Sequence, residues 1–314
     1  MANTIFLALF PAVFGVALGW IAARMGYLKR DYAPAFGAFV IKFALPFALL
    51  AGMIDMPLAD MPSSGYIICL VGGFVGIYAV AVMLGRSLFK NDLASSALQG
   101  LLCAFPSMAF SGVPILTSVV GSRSVIPIIV GNLVTSFILI PLTLVLVEIG
   151  LKSKDGASAS PFDLLRKSIV HSIKEPIVWL PVLGGIIRFS GVAFPKAFLD
   201  TAVLIGNASA GVGLFVVGLM LYGTNIVLSR EVVANTVLKN IAQPLLIAGL
   251  VPLCGLAAVS HSRELILTGA IPVASTSSIL ALRYQKYVPQ ATAAIVASTV
   301  FSVVTIALAI MITR

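Results

Sequence analysis

Apolar segments of about 20 residues recur along this chain, and short polar connections separate them. A membrane-spanning helix needs roughly 20 consecutive, mostly apolar residues, whereas the strands of a membrane barrel alternate over about ten. The composition agrees, because 60% of the 314 residues are hydrophobic, 10% are charged and the mean hydropathy is +1.10. A soluble globular core is excluded, and the sequence predicts an all-α integral membrane protein.

The apolar segments predict ten transmembrane helices in two sets of five, with one long polar stretch between the sets. The predicted spans are residues 4–23, 33–55, 64–89, 93–120, 124–149, 176–191, 195–224, 232–258, 263–287 and 291–313. We therefore expect a first five-helix repeat over residues 1–150, a linker over 151–175 and a second five-helix repeat over 176–314. Phe162, Leu165, Ile169 and Ile173 recur at helical spacing within the linker, which favours an amphipathic helix on the membrane surface.

The basic residues orient the predicted spans. Most of the 20 Lys and Arg residues lie in the connections that follow spans 1, 3, 5, 7 and 9, and we count Lys239 among them. By the positive-inside rule these connections are cytoplasmic, so the linker is cytoplasmic and both termini face outward. Because topology accounts for the net charge of +9, a nucleic-acid partner is not expected. The N-terminus has no basic residue before its apolar run, which favours a retained first span over a signal peptide.

Two segments of the first half are similar in sequence to two segments of the second half. "FPAVFGVALGW" in span 1 is similar to "LPVLGGIIRFSG" in span 6, and "CAFPSMAFSGVPIL" in span 4 is similar to "GAIPVASTSSILAL" in span 9. An odd number of spans per half places the two copies in opposite orientations. The sequence therefore predicts an inverted repeat, which is the layout of many secondary transporters.

Spans 4 and 9 combine prolines with hydroxyl side chains at mid-span, which predicts two broken helices. A proline removes its own N–H and frees the carbonyl four residues earlier, and such groups are tolerated only in a wet or protein-enclosed place. Half-helix N-termini favour an anion. The predicted breaks are at Pro106, Pro114 and Pro272, and the candidate substrate-binding hydroxyls belong to Ser107, Ser111, Ser275, Thr276, Ser277 and Ser278. The alternative is a simple kink with hydroxyls bonded to their own helix.

Two further intramembrane polar residues are candidates for substrate binding. Lys42 lies near the middle of span 2, where a charge is costly, and Pro46 leaves the Lys42 carbonyl without its usual donor. Lys42 either meets an anionic substrate or is a structural lysine satisfied by freed carbonyls or a neighbouring protomer. Asn132 in span 5 either contacts substrate or makes a helix–helix hydrogen bond. Lys239, Asn240 and Gln243 form another polar patch near the cytoplasmic end of span 8.

Several classes of function are disfavoured. All 11 carboxylates fall near span ends or in loops, which argues against a cationic substrate. The three cysteines are far apart, and no metal-ligand spacing is present, so no cofactor or metal is expected. An intramembrane enzyme is not expected either, because the two histidines, His171 and His261, lie in the linker and in an outer loop.

Several segments resemble the bacterial branch of the auxin efflux carrier family, in particular the members called malonate carriers. They include "KFALPFALLAGM", "ALQGLLCAFPSMAFSGVPIL", "KEPIVWLPVLGGIIRFSGVAFP", "LIGNASAGVGLFVVGLML" and "KNIAQPLL". The resemblance implies ten spans in two inverted repeats, with a scaffold of spans 1, 2, 6 and 7, often dimeric, and a transport domain of spans 3–5 and 8–10. It also implies that spans 4 and 9 cross at their prolines and that Asn132 helps to hold a carboxylate. The chain departs from the family at Ser107 and Ser111 and at "VASTSS".

The leading hypothesis is a secondary active transporter of a small organic anion, a malonate-like carboxylate or dicarboxylate, across the bacterial inner membrane by alternating access. The alternative is a sodium-coupled organic-anion carrier of the bile-acid-transporter type, in which the "STSS" hydroxyls and freed carbonyls hold the ion. Coupling to H⁺ or Na⁺ stays open at this point. The expected partners are the carboxylate, membrane lipids and a second copy of the chain through the scaffold spans.

Overall fold

A computed structural model of the chain describes residues 2–57, 62–155, 161–192, 194–223, 228–256 and 259–313. Throughout these ranges the regular secondary structure is helical, apart from one isolated β-bridge. The α-helices are α1 Ala2–Arg24, α2 Ala33–Phe39, α3 Leu45–Asp55, α4 Ser64–Ser87, α5 Leu93–Ala104, α6 Val113–Val120, α7 Val125–Val134, α8 Ile140–Asp155, α9 Pro161–Lys174, α10 Pro176–Ser190, α11 Lys196–Leu221, α12 Arg230–Val237, α13 Gln243–Leu253, α14 Val259–Ala270, α15 Thr276–Tyr284 and α16 Val288–Ile312.

Six helical stretches in the described ranges are long and apolar enough to cross a membrane. They are Arg30–Asp55, Ser64–Ser87, Met108–Leu151, Lys196–Leu221, Arg230–Leu253 and Val288–Ile312, and a bent pair that ends at Ser190 makes up to seven. The stretch Met108–Leu151 has 44 residues, about twice the length that one crossing requires. The protein is thus a multi-pass, all-helical membrane protein, while the count of ten crossings and the inverted repeat stay predictions.

Four of the prolines in the helical stretches follow π-helical turns, whereas Pro11, Pro181 and Pro252 lie inside regular α-helices. Four five-residue π-helices, Val40–Ala44, Met108–Gly112, Thr135–Leu139 and Leu238–Ala242, occur in the described part of the chain. In each case a proline follows two residues after the π-helix: Pro46, Pro114, Pro141 and Pro244. A proline in a regular α-helix removes a donor and collides with the carbonyl four residues earlier, and the wider π turn changes which groups pair just before the ring.

The predicted break at Pro114 is therefore wrong. The π-helix Met108–Gly112 continues directly into α6, and Pro114 is in the first turn of that α-helix, where a missing N–H is tolerated. By contrast, α5 ends at Ala104 and the chain is not helical again until Met108, so Pro106 lies between two helices. Likewise α14 ends at Ala270 and α15 begins at Thr276, with Pro272 between them.

The chain divides into two compact units. The first unit consists of Met1–Ser63, Met108–Asn132 and Ile173–Thr224, and its helices α1 and α11 pack through glycine. A Cβ placed on Gly218 would overlap the carbonyl oxygen of Val16, so only glycine allows these two backbones to approach so closely. Close approach at small residues is a common basis of helix association in membranes.

The second unit consists of Ser64–Ser107, Leu133–Ser172 and Asn225–Arg314. Its buried core is formed by apolar residues of α5, α8, α12, α15 and α16: Ala94, Ala97, Leu98, Leu102, Val147, Val232, Ala281, Ala291 and Ala294. A buried polar network ties α5, α12 and the start of α16 together. Asn235 accepts from Gln99 (2.8 Å) and donates to the Tyr287 hydroxyl (2.8 Å), which donates to Glu231 (2.7 Å).

Candidate functional site

The two interruptions in the second unit pair with each other. The Ser107 N–H donates to the Pro272 carbonyl (2.8 Å), and the Ala274 N–H donates to the Phe105 carbonyl (2.9 Å). Pro106 and Val273 face each other in an isolated antiparallel bridge. The segments Phe105–Ser107 and Ile271–Ser275, which we call the crossing, thus satisfy some of the backbone groups that the breaks would otherwise leave without partners.

Lys239 and Gln243 bind the carbonyl ends of the half-helices that precede the crossing. The Lys239 ammonium, which is 0% exposed, donates to the Gly269 carbonyl near the end of α14 (2.9 Å) and to Oε1 of Gln243 (2.5 Å). The Gln243 side chain in turn donates to the Ala104 carbonyl at the end of α5 (3.0 Å). Because the C-terminal end of a helix carries partial negative charge, a buried ammonium here is stabilised by helix dipoles as well as by hydrogen bonds.

Ser298 of α16 binds the crossing through a hydrogen bond to Val273. Its hydroxyl accepts from the Val273 N–H (3.1 Å) and donates to Oδ1 of Asn240 (2.6 Å), while Nδ2 of Asn240 donates to the Ser298 carbonyl (2.9 Å). Both side chains are buried. Lys239 and Asn240 are consecutive residues of the π-helix Leu238–Ala242. This short segment therefore binds both the Gly269 carbonyl at the end of α14, through Lys239, and the Ser298 hydroxyl that holds Val273, through Asn240.

The N-terminal end of α15 has the features of an anion site. Ser275 is its N-cap residue but makes no side-chain capping bond, and the Ser277 and Ser278 N–H groups donate instead to the Ala274 and Ser275 carbonyls (both 3.1 Å). The Ser277 hydroxyl is 2% exposed, and it has no hydrogen-bond partner among the residues that the structure describes. The Ser278 hydroxyl instead donates to the Ser275 carbonyl (2.7 Å). The first turn of α15 therefore offers one buried, unused hydroxyl next to the positive end of a helix dipole.

The predicted site residues are divided between the two units. Ser107 and the segment from Ser275 to Ser278 lie in the second unit, where the crossing pairs the Ser107 backbone with Pro272, a few residues before that segment. Ser111 lies in the first unit, buried in the π-helix Met108–Gly112. Asn132, also in the first unit, donates to the Ile128 carbonyl of its own helix (2.9 Å). Their part in substrate binding stays a prediction.

Lys42 is an exposed residue of the π-helix Val40–Ala44 in the first unit. Its neighbours Phe39 and Phe43 are exposed as well, and their rings stack 6.4 Å apart. Within the described ranges the Lys42 ammonium makes no hydrogen bond or ion pair. The structure thus places Lys42 on a surface of the first unit, and its role in transport stays a prediction.

Sequence reasoning counts Lys239 with the charges of a cytoplasmic connection and also places it in a polar patch of span 8; the structure agrees with the second placement and not with the first. The residue lies inside the helical stretch Arg230–Leu253 and is fully buried. The polar patch of Lys239, Asn240 and Gln243 is thus visible in the sequence, but its contact with the crossing is not. Ser298 had no comparable signal, because a lone serine is common in membrane helices. Within the described residues, no group of three or more His, Cys, Asp or Glu could hold a metal ion.

Comparison with known proteins gives the family of this chain. Residues 4–310 match the model of the family described as "Membrane transport protein". The uncharacterized transporter YfdV of Escherichia coli (strain K12) is 30% identical over 98% of this chain and 96% of its own length. The lysosomal cholesterol signaling protein of Mus musculus is 28% identical over 94% of this chain, which corresponds to 36% of that protein. The chain therefore belongs to the membrane transport protein family of the auxin efflux carriers.

Proposed function

We propose that this membrane transporter is a secondary active carrier of small organic anions, carboxylates or dicarboxylates of the size of malonate, that works by alternating access. The observation that carries the proposal is the first turn of α15, where the unused, buried Ser277 hydroxyl accompanies the positive end of a half-helix. Such an end attracts a carboxylate through the partial positive charge of the helix dipole, and the Ser277 hydroxyl supplies a hydrogen-bond donor. Ser107, Ser275 and Thr276 belong to the same proposed site.

The buried Lys239 side chain supports an anion as the substrate. The Lys239 side chain donates to the carbonyl of Gly269, a few residues before the crossing, and in its protonated form it brings a positive charge there. An anion that binds at the crossing is attracted by this charge, whereas a cation is repelled. Both hydrogen bonds of Lys239 go to neutral groups, so no carboxylate in those bonds neutralises the protonated form.

The proposal extends to the setting of the transporter. We place the chain in the bacterial inner membrane with both termini outward, with spans 1, 2, 6 and 7 as a scaffold and spans 3–5 and 8–10 as the moving domain. The positive-inside distribution supports the orientation. A homodimer through the scaffold is part of the same proposal. Counterflow of labelled mono- and dicarboxylates in proteoliposomes tests the function, and the absence of saturable counterflow for every carboxylate would contradict it.

The first expected result concerns sodium. A sodium site of the bile-acid-transporter type would use unpaired carbonyls at the broken helices, but two of the carbonyls at these helix ends, those of Gly269 and Ala104, are already bound by Lys239 and Gln243. We expect the carboxylate flux to stay unchanged when choline replaces sodium in the proteoliposome assay. A flux that falls with sodium removal, at constant membrane potential, would support the sodium-coupled alternative instead.

The second expected result concerns the serines of α15. Replacing Ser277 by alanine removes the unused hydroxyl, and we expect the KM for the carboxylate to rise roughly fivefold to tenfold, the effect of one hydrogen bond to a charged group. Ser278→Ala is the matched control, because the Ser278 hydroxyl is already bonded to the Ser275 carbonyl. Equal effects of the two substitutions would argue against Ser277 as a substrate ligand.

A further inference from the structure

The first unit contains a cavity whose lining includes no residue of the crossing. Its volume is about 370 Å³, and residues of α3, α6, α7 and α11 form its walls. The apolar part of the lining includes Leu45, Leu49, Val113, Val125 and Ile128. A cavity of this size accommodates a small organic molecule, and apolar walls with a few placed polar groups are typical of ligand sites.

Two opposite charges line the same cavity without pairing. Asp55 stands at the end of α3, and Arg123 stands in the 3₁₀ turn Gly121–Ser124 that joins α6 to α7. Both side chains are exposed, and neither makes a hydrogen bond or ion pair with any other residue that the structure describes. Their charges are therefore available to a ligand.

Neutral polar groups occupy the rest of this lining. The hydroxyls of Thr117 and Ser124 are hydrogen-bonded to each other (3.1 Å), and Asn207 of α11 adds an exposed carboxamide. Gly121 begins the 3₁₀ turn with a φ of +63°, a conformation that favours glycine, and this turn carries Arg123 and Ser124 into the lining. The cavity thus combines one cation, one anion and several hydrogen-bonding groups.

We propose that this cavity is a second binding site, for a small monocarboxylate that also carries a hydrogen-bond donor, such as a hydroxy acid. Arg123 holds the carboxylate, because a planar guanidinium matches a carboxylate with two parallel hydrogen bonds. Asp55 accepts the hydrogen bond of the hydroxyl group. The inference rests on the proposed transport of small carboxylates and narrows its substrate class.

The same pair of charges selects against a dianion. A second ionised carboxylate at the Asp55 end places two negative charges together, whereas a hydroxyl group is accepted there. The site therefore prefers a hydroxy acid over a dicarboxylate of similar length. The sequence suggests a malonate-like substrate, whereas this cavity is expected to prefer a hydroxy acid. The relative affinities for the two kinds of acid therefore test the proposal.

Isothermal titration calorimetry of the purified full-length protein with glycolate, acetate and malonate tests the site. We expect glycolate to bind more tightly than the other two acids. Arg123→Gln should weaken glycolate binding about tenfold, the effect of losing a charged hydrogen-bond pair. Asp55→Asn should weaken glycolate binding about fivefold, since a neutral acceptor is weaker, and should reduce the discrimination against malonate.

Lys196→Gln and Asp200→Asn are the matched controls, because both residues are exposed charges of the first unit outside the cavity lining. They should bind glycolate as the unmodified protein does. Arg123→Lys keeps the positive charge but removes the planar guanidinium, so it should show an intermediate affinity for glycolate. This variant replaces Arg123→Gln in the test if Arg123→Gln does not fold. Unchanged glycolate binding in the Arg123 variants, or a preference for malonate that Asp55→Asn leaves unaltered, would overturn the proposal.

Proteoliposome flux separates this proposal from the proposed function. If labelled carboxylates show saturable counterflow while the Arg123 and Asp55 variants bind and transport as the unmodified protein does, the second site is wrong and the transport function stands. If no carboxylate shows counterflow in the unmodified protein, the proposed function itself fails. Calorimetry then still reports whether the cavity binds glycolate through Arg123.

Discussion

Replacing Lys239 with methionine is expected to lower carboxylate transport about hundredfold and to lower the melting temperature. Methionine fills a similar volume but donates no hydrogen bond, so the Gly269 carbonyl and Oε1 of Gln243 lose their donor in a fully buried place. A buried polar group without a partner costs about 1–3 kcal/mol, and each 1.4 kcal/mol corresponds to about tenfold in a rate. The measurement is initial uptake in proteoliposomes together with thermal unfolding.

Gln243→Leu provides a second test of the same network. Gln243 links Lys239 to the Ala104 carbonyl, so the two substitutions act on one hydrogen-bond chain. We expect the effects of Lys239→Met and Gln243→Leu on unfolding free energy to be non-additive, with a coupling of about 1 kcal/mol or more. Additive effects, or normal uptake by Lys239→Met, would show that the network does not support the crossing.

The same uptake assay also compares the two intramembrane lysines. Lys42 is the residue that sequence reasoning favours, whereas Lys239 is the one that lies beside the crossing. The sequence-based hypothesis expects Lys42→Ala to abolish transport and leave the protein folded. Normal uptake by Lys42→Ala, together with loss of uptake in Lys239→Met, would assign the functional cation to Lys239 alone.

Replacing Gly269 with alanine is expected to destabilise the second unit by about 1–3 kcal/mol and to impair transport. A Cβ at this position would stand 2.8 Å from Cδ1 of Ile247 and 3.0 Å from Cα of Pro244, so α14 would have to move away from α13. Overpacking of this kind typically costs about 1–3 kcal/mol. The shift would also displace the carbonyl that Lys239 binds, which couples the packing defect to the crossing.

Gly249→Ala is the matched control for this substitution. Gly249 lies in α13 as well, but a Cβ placed on it meets nothing within 4 Å. We expect its melting temperature and uptake to equal or slightly exceed those of the unmodified protein, because alanine favours the helix. A Gly269→Ala protein as stable and active as Gly249→Ala would contradict the close packing of α14 on α13.

The sequence by itself determined the class of the protein and the location of its interruptions. Apolar segments long enough to cross a bilayer leave little choice but helices, because backbone groups in lipid must pair within the segment. Proline chemistry is local, so Pro106 and Pro272 could be recognised as positions where a regular helix is costly. The same rule was wrong for Pro114, since a π-helical turn in Met108–Gly112 accommodates the ring without a break.

Only the tertiary structure decided which polar groups serve the crossing. The sequence shows Lys239 in a polar patch of span 8, but residue type and position along a span do not reveal what a neighbouring helix places beside it. Its partner carbonyl belongs to Gly269, which is 30 residues away, and Ser298 binds Asn240 across 58 residues. Whether a buried polar side chain is costly or stabilising depends on partners that distant segments supply, and those become visible only when the helices are packed.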